Sequence, residues 1–357
     1  METAGSGRNR LPIDRPGTTG PVTLLGFHKA QLARYPLGYN LAAMRGTILV
    51  TDYEWFQFLS HQVDLDEVNF WRPSDTRTPK QLKTGMPVLF KLRKQFGGWI
   101  VGWGLFAKHD VLPAWLAWDA FEVRNGAPNF AEMRRRIERL RRDGGQRLSG
   151  GDYSIGCLML AQPIFLPRER WVKPPADWPE NVVQGKAYDL STGEGGRVWR
   201  ECRSDGPGDN PVAADRGRPP VFPGGRYGDP VLIRPRLGQG IFRVAVTDAY
   251  GRSCAVTGEH SLPVLEAAHI RPYSEGGEHE VSNGLLLRSD IHRLFDMGYV
   301  GVRSDHRFVV SKRLKDDYSN GRSYYPLHNQ EIRLPVRAED RPSGTWLDWH
   351  MGERFRG

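Results

Sequence analysis

The order of a few polar residues near the end of the chain constrains its fold more than any other feature of the 357-residue sequence. Val264 to Ala268 has the character of a strand ending at His269, and Pro272 with Gly276-Gly277 then forces a loop. Asn283 follows, and Ser289 reads as the N-cap of a helix carrying Asp290, His292 and Asp296. His292 and Asp296 are four residues apart, which places both on one helical face. A strand end and a helix face, joined by a tight loop, bring a histidine opposite a histidine–carboxylate pair.

That set of groups suits phosphodiester hydrolysis. The reaction needs a deprotonated water, a cation near the developing charge, and a group that orients the base. His269 serves as the base, Asn283 fixes its ring through a side-chain hydrogen bond, and His292 with Asp296 holds one divalent cation. A lone histidine usually has no such role. The ordered set of His269, Gly276, Gly277, Asn283, His292 and Asp296 carries the reading.

The run Ala267-Ala268-His269-Ile270, followed by Asp290-Ile291-His292-Arg293-Leu294-Phe295-Asp296, resembles the HNH nuclease family over about residues 236–310. The resemblance implies a ββα-metal fold with His269 as general base, Asn283 as its orienting residue and His292 as a metal ligand. Two departures shape the expectation. Many relatives carry Asp or His just before the base, where this chain has Ala268, so ligation leans on His292, Asp296, Asp290 and water. Many also hold a structural zinc with two CxxC pairs, whereas only Cys254 stands here, so no structural zinc is expected and Leu285-Leu286-Leu287 with Phe295 must stabilise the motif by packing. The cation is then Mg²⁺, Mn²⁺, Co²⁺ or Ni²⁺. Arg236, Arg243, Arg271, Arg288 and Arg293 are candidate phosphate contacts. Glu266 reads as a solvated strand residue, and Cys254 as a small packed one.

Lys and Arg outnumber Asp and Glu by 50 to 41, a formal charge of +9 that favours a polyanionic partner without proving one. No stretch of about 18 apolar residues occurs and the N-terminus has no apolar signal core, so neither membrane span nor secretion is expected. Cys157, Cys202 and Cys254 are far apart, which fits a reducing cytoplasm.

The first half is dense in aromatics and short β-like runs at 47–51, 87–92, 99–103 and 155–160, with a helical period over 130–142 through Met133, Ile137 and Leu140. Asn69-Phe70-Trp71 and the runs 85–90 and 98–104 resemble the PUA superfamily, its EVE-like members in particular. The expected fold class is therefore α+β: a PUA-like small β-barrel with helices, a linker, and a C-terminal ββα-metal domain. The boundaries are a disordered basic arm at 1–20, a recognition domain at 21–202, a Gly/Pro-rich linker at 203–230, a nuclease domain at 231–335 and a tail at 336–357. The resemblance implies a reader of modified bases, with Trp71, Asn69, Trp118 and Asp119 as pocket residues and 5-methyl- or 5-hydroxymethylcytosine ahead of N6-methyladenine. The substrate is double-stranded DNA. One site cuts one strand, so a double-strand break needs a homodimer or two independent nicks. The rival readings are an HNH nuclease acting on unmodified DNA and a non-catalytic DNA-binding protein.

Overall fold

The computed structural model describes residues 44–73, 82–143, 153–179, 182, 184–204, 238–319 and 321–357. The expected arm at 1–20, nearly all of the expected linker and Arg236 lie outside the described residues. Ala42–Gly357 forms one compact unit.

Six strands make the large sheet: β1 (Arg45–Thr51), β2 (Glu67–Arg72), β3 (Pro87–Leu92), β4 (Ile100–Pro113), β5 (Ser154–Phe165) and β6 (Gly185–Asp189). Their order is β2-β5-β4-β3-β1-β6. β1 and β3 run parallel, and the other pairs are antiparallel. β4 pairs with β3 through its first half and with β5 along most of its length, with register shifts near Phe90, Trp103 and Phe106. Such bulges bend and twist a strand. The expected small barrel is corrected to an open sheet: among the described residues β2 and β6 are its two edges and do not pair with each other. Closure depends on the partners of the outermost strands, which local alternation does not encode.

Helices cover the sheet. In α1 (Tyr53–Ser60) the Asp52 side chain accepts from the Trp55 amide at 3.1 Å, and Trp55 packs edge-on against Phe70 and Phe90. After α2 (Ala114–Phe121), α3 (Phe130–Asp143) buries Met133 and Ile137 at the predicted helical spacing. Most of its arginines are paired: Arg135 and Arg136 bind Glu132 and Arg134 binds Glu138 within the helix, while Arg139 binds Glu54 of α1. This basic run therefore builds a helix surface, not a bare cationic patch. α4 (Gly193–Arg203) packs Trp199 against Trp103.

The helix α5 (Gln239–Ala249) has two working faces. Ile241 and Val244 join the core of the large sheet, while Phe242, Val246 and Tyr250 join a second core formed by the C-terminal elements. Its first turn is held by Glu67 at the start of β2, fully buried, whose two carboxylate oxygens accept from the Gly240 and Ile241 amides at 2.7 and 2.8 Å. A Cβ on Gly238 would sit 2.3 Å from the Glu67 side chain, so the glycine is required by close approach. Ion pairs from Arg243 to Asp119 and from Lys108 to Asp248 flank this contact.

The second core contains the antiparallel pair β7 (Leu265–His269) and β8 (Gly284–Arg288), and α6 (Ser289–Asp296). Ser289 is the first residue of α6, and Arg288 occupies the cap position without a side-chain cap, a one-residue difference from the predicted N-cap. β9 (Val300–Val302), β10 (Phe308–Val310) and α7 (Arg313–Tyr318) follow. The chain closes with α8 (Gly344–Glu353), which buries Leu347 and His350 against the second core. The His350 ring stacks on Phe295 at 3.7 Å and its Nε2–H donates to the Phe295 carbonyl. Burial pushes this histidine down to about 4, so it is a neutral packing residue. Among the described residues no helix is long and apolar enough to cross a membrane.

Candidate active site

His269 ends β7 opposite Gly284, where the strand gives way to the Pro272 and Gly276-Gly277 loop. Its ring lies flat on Phe242 of α5, with centroids 3.8 Å apart and planes 12° apart. Burial, helped by His279 and His292 nearby, pushes it down to about 4. The ring is therefore neutral at ordinary pH, as a proton acceptor must be.

Asn283 does something other than expected. It is fully buried, its Oδ1 accepts from the Arg271 amide at 2.9 Å, and its Nδ2 donates to the carbonyls of Arg271 and Glu278. It staples the loop between β7 and β8, and its hydrogen bonds go to that loop's backbone. The contact on the His269 ring comes from His279, whose Nδ1 lies 2.9 Å from His269 Nε2. Replacing Asn283 by alanine leaves one amide and two carbonyls without that side chain. The expected loss is on the order of 2–3 kcal/mol of stability, read by chemical denaturation. A midpoint unchanged from the parent protein would refute the stapling role.

Across from His269, α6 presents His292 and Asp296. His292 Nδ1 pairs with Glu266 Oε2 at 2.6 Å, and His292 Nε2 lies 3.4 Å from Asp296 Oδ2. Glu266, on β7, is thus more than a solvated strand residue: it fixes the ring and turns Nε2 toward Asp296. Burial, then the neighbouring Glu266, raises the Asp296 carboxyl above its usual range, with His292 acting in the opposite sense. An imidazole nitrogen beside a carboxylate oxygen is a donor pair suited to a divalent cation. Among the described residues no group of three His, Cys, Asp or Glu side chains forms a ready ligand set. Two protein donors fit such an ion, with water and phosphate oxygens completing its shell.

Asp290 is not one of those donors. Both of its oxygens are held by Arg288, at 2.6 and 2.8 Å, and Tyr324 OH donates to one of them. This pairing holds its carboxyl below the usual range. The expected ligand role is corrected on that ground, and the same pair occupies Arg288. Arg243 is bound to Asp119, and Arg271 donates to the Glu275 carbonyl while lying over the rings of Trp346 and Trp349. Arg293 is exposed on α6 next to His292, and among the described residues its side chain has no ion-pair partner.

The four predicted pocket residues do not come together. Asn69 is fully buried and donates to Asn125 Oδ1 and Cys157 Sγ, which makes it a core anchor. Trp118 packs near Phe130, and Asp119 faces Arg243. Trp71 lines a cavity of about 150 Å³, together with Trp55, Asp52, Arg72, Arg93 and Gln184. Alternation along β2 puts Asn69 and Trp71 on one face, but it does not say which neighbours that face meets.

Sequence reasoning missed His279 and Phe242. His279 stands in the loop between Gly277 and Asn283, and a lone loop histidine carries no periodic signal. Phe242 is visible in the sequence only as one apolar position of an amphipathic helix.

Residues 254–303 match the family model described as HNH endonuclease. No curated protein matches the chain. Among solved structures the chain is similar to one titled "Modification dependent TagI restriction endonuclease", at 15% identity and a TM-score of 0.26, covering 92% of this chain and 89% of that one. The family segment contains Glu266, His269, His279, Asn283, His292 and Asp296, so this centre lies within the stretch that matches the HNH endonuclease model, and the chain is an endonuclease, a hydrolase.

Proposed function

We propose that the protein is a modification-dependent endonuclease that hydrolyses double-stranded DNA through a single-cation HNH site. The observation that carries the nuclease assignment is the His269 ring at the end of β7, stacked on Phe242, on the same strand whose Glu266 holds His292 of the His292–Asp296 pair. His269 takes the proton from the attacking water, Glu266 holds His292, and Arg293 binds a phosphate of the strand. A divalent cation held by His292 Nε2 and Asp296 Oδ2 supplies charge neutralisation at the phosphate and leaving oxygen when bound. Reading belongs to the sheet-bearing part, at 21–202, and cutting to the part after the linker, at 231–335.

Support for base reading is the cavity beside Trp71. It combines aromatic walls, Trp55 and Trp71, with polar edges from Asp52 and Gln184 and the cations Arg72 and Arg93. A base flipped out of the duplex needs this mixture of stacking surface and hydrogen-bonding edge. The first-choice substrate carries 5-methyl- or 5-hydroxymethylcytosine. A double-strand break comes from a homodimer or from two nicks, and the enzyme acts in the cytoplasm.

The test is digestion of duplexes of one sequence bearing cytosine, 5-methylcytosine, 5-hydroxymethylcytosine or N6-methyladenine, with Mg²⁺, Mn²⁺, Co²⁺ and Ni²⁺ supplied in turn. A modified cytosine is expected to be cut at least about tenfold faster than its parent, with Trp71→Ala erasing the difference, since losing a stacked base costs on the order of 1–3 kcal/mol. Equal cutting of all four duplexes would leave a nuclease and remove the modification dependence.

A further inference from the structure

The His269 ring is touched on its face and on its edge, and only the edge contact is polar. Phe242 covers the face, and His279 meets the edge with Nδ1 2.9 Å from Nε2. Two imidazole nitrogens at that separation share one proton, so the tautomers of the two rings are linked. When His269 Nε2–H donates to His279 Nδ1, the other nitrogen of His269, Nδ1, keeps the lone pair that a base requires. His279 is in turn held by Tyr273, whose ring stacks on it at 4.7 Å and 6° although Tyr273 is 62% exposed. The loop carrying both is fixed by Asn283 through the Glu278 carbonyl next to His279. Burial lowers the proton affinity of His279, and the Asp66 carboxylate acts against that effect. Neutral rings suit a hydrogen bond that sets geometry.

We propose that His279 is the positioning residue of the nuclease site: it accepts the Nε2–H of His269 and so fixes both the ring and the tautomer of the base. The inference rests on His269 being that base. It gives His279 the task that position and family pattern suggest for Asn283, and leaves Asn283 as the staple of the loop from which His279 works. A residue of this kind acts on turnover, not on binding of DNA.

Three substitutions separate the hydrogen bond from the stacking. His279→Phe keeps a ring against Tyr273 and removes the acceptor, His279→Ala removes both, and His279→Asn restores an acceptor near the position of Nδ1. Single-turnover and steady-state cleavage are expected to show kcat about ten- to hundredfold lower for Phe and Ala, with KM for DNA within about threefold of the parent. His279→Asn is expected to recover most of kcat. A Phe variant as fast as the parent, or an Asn variant as slow as Ala, overturns the proposal. Should His279→Phe not fold, the Ala and Asn variants decide between the same two outcomes, because both are smaller than the half-buried His279 ring and fit in its space. His269→Ala, assayed alongside, keeps two failures apart: cleavage surviving that change removes the nuclease assignment of the site, whereas its loss with a fast Phe variant removes only the role of His279.

Discussion

Changing His269 to alanine is expected to lower the single-turnover cleavage rate by about 10²- to 10⁴-fold while leaving DNA affinity within about threefold. The size follows from the position of the ring. It stands at the end of β7 facing α6, and burial against Phe242 keeps it neutral. The pH profile carries the same argument. A folded-state value pushed down to about 4 means that the base is unprotonated at every pH well above that. The limb belonging to His269 therefore falls as pH drops through about 4, not through 6.5. In stability terms a depressed histidine contributes stability that is present above its unfolded value and lost as pH falls toward the folded one. A variant that cuts at the parent rate would sink the assignment.

The second large effect belongs to Glu67. Replacing it by alanine strips the buried Gly240 and Ile241 amides of their acceptor, at a cost on the order of 2–4 kcal/mol, visible as a fall in the denaturation midpoint. The cost depends on pH. Burial raises the Glu67 carboxyl to about 7, outweighing the two amides and Arg124, which favour the charged form. A carboxyl raised in the folded state contributes stability that is fully present below about 4.5 and is lost as pH rises through about 7. The gap between parent and Glu67→Ala is therefore widest near pH 5 and narrows by pH 8, since the window runs from about 4.5 to about 7. Coincident denaturation curves, or a gap that grows with pH, would contradict the capping role of Glu67.

Particular residues show where the sequence was enough. His269, His292 and Asp296 were legible because their placement depends on a strand end and on helix periodicity, both local properties. Leu285 to Leu287 and Phe295 were legible as core for the same reason. Asp290 shares the helix of His292, yet it is taken by Arg288 and Tyr324, the second of which lies 34 residues away. His279 and Glu266 acquire meaning only through partners that tertiary packing supplies. The sheet edges follow the same rule: the runs 47–51, 87–92, 99–103 and 155–160 were recognisable as strands, but the edge strands β2 and β6 were not among them, and whether those edges pair to close a barrel is decided by contacts between residues far apart in sequence. The pocket failed for a related reason, since an aromatic on a strand looks alike whether it fills a core or walls a cavity.

The two faces of α5 bear on any attempt to exchange the sheet-bearing part for another. α5 packs in both cores, so no clean seam runs between them. A fragment beginning at Gly238 would carry Ile241 and Val244 into water, and a fragment ending before it would strand a buried acid at the start of β2. Chimeras of this enzyme have to take α5 with the surfaces of β2 and α2 that it fits, because the helix that backs the His269 ring is also part of the interior of the large sheet.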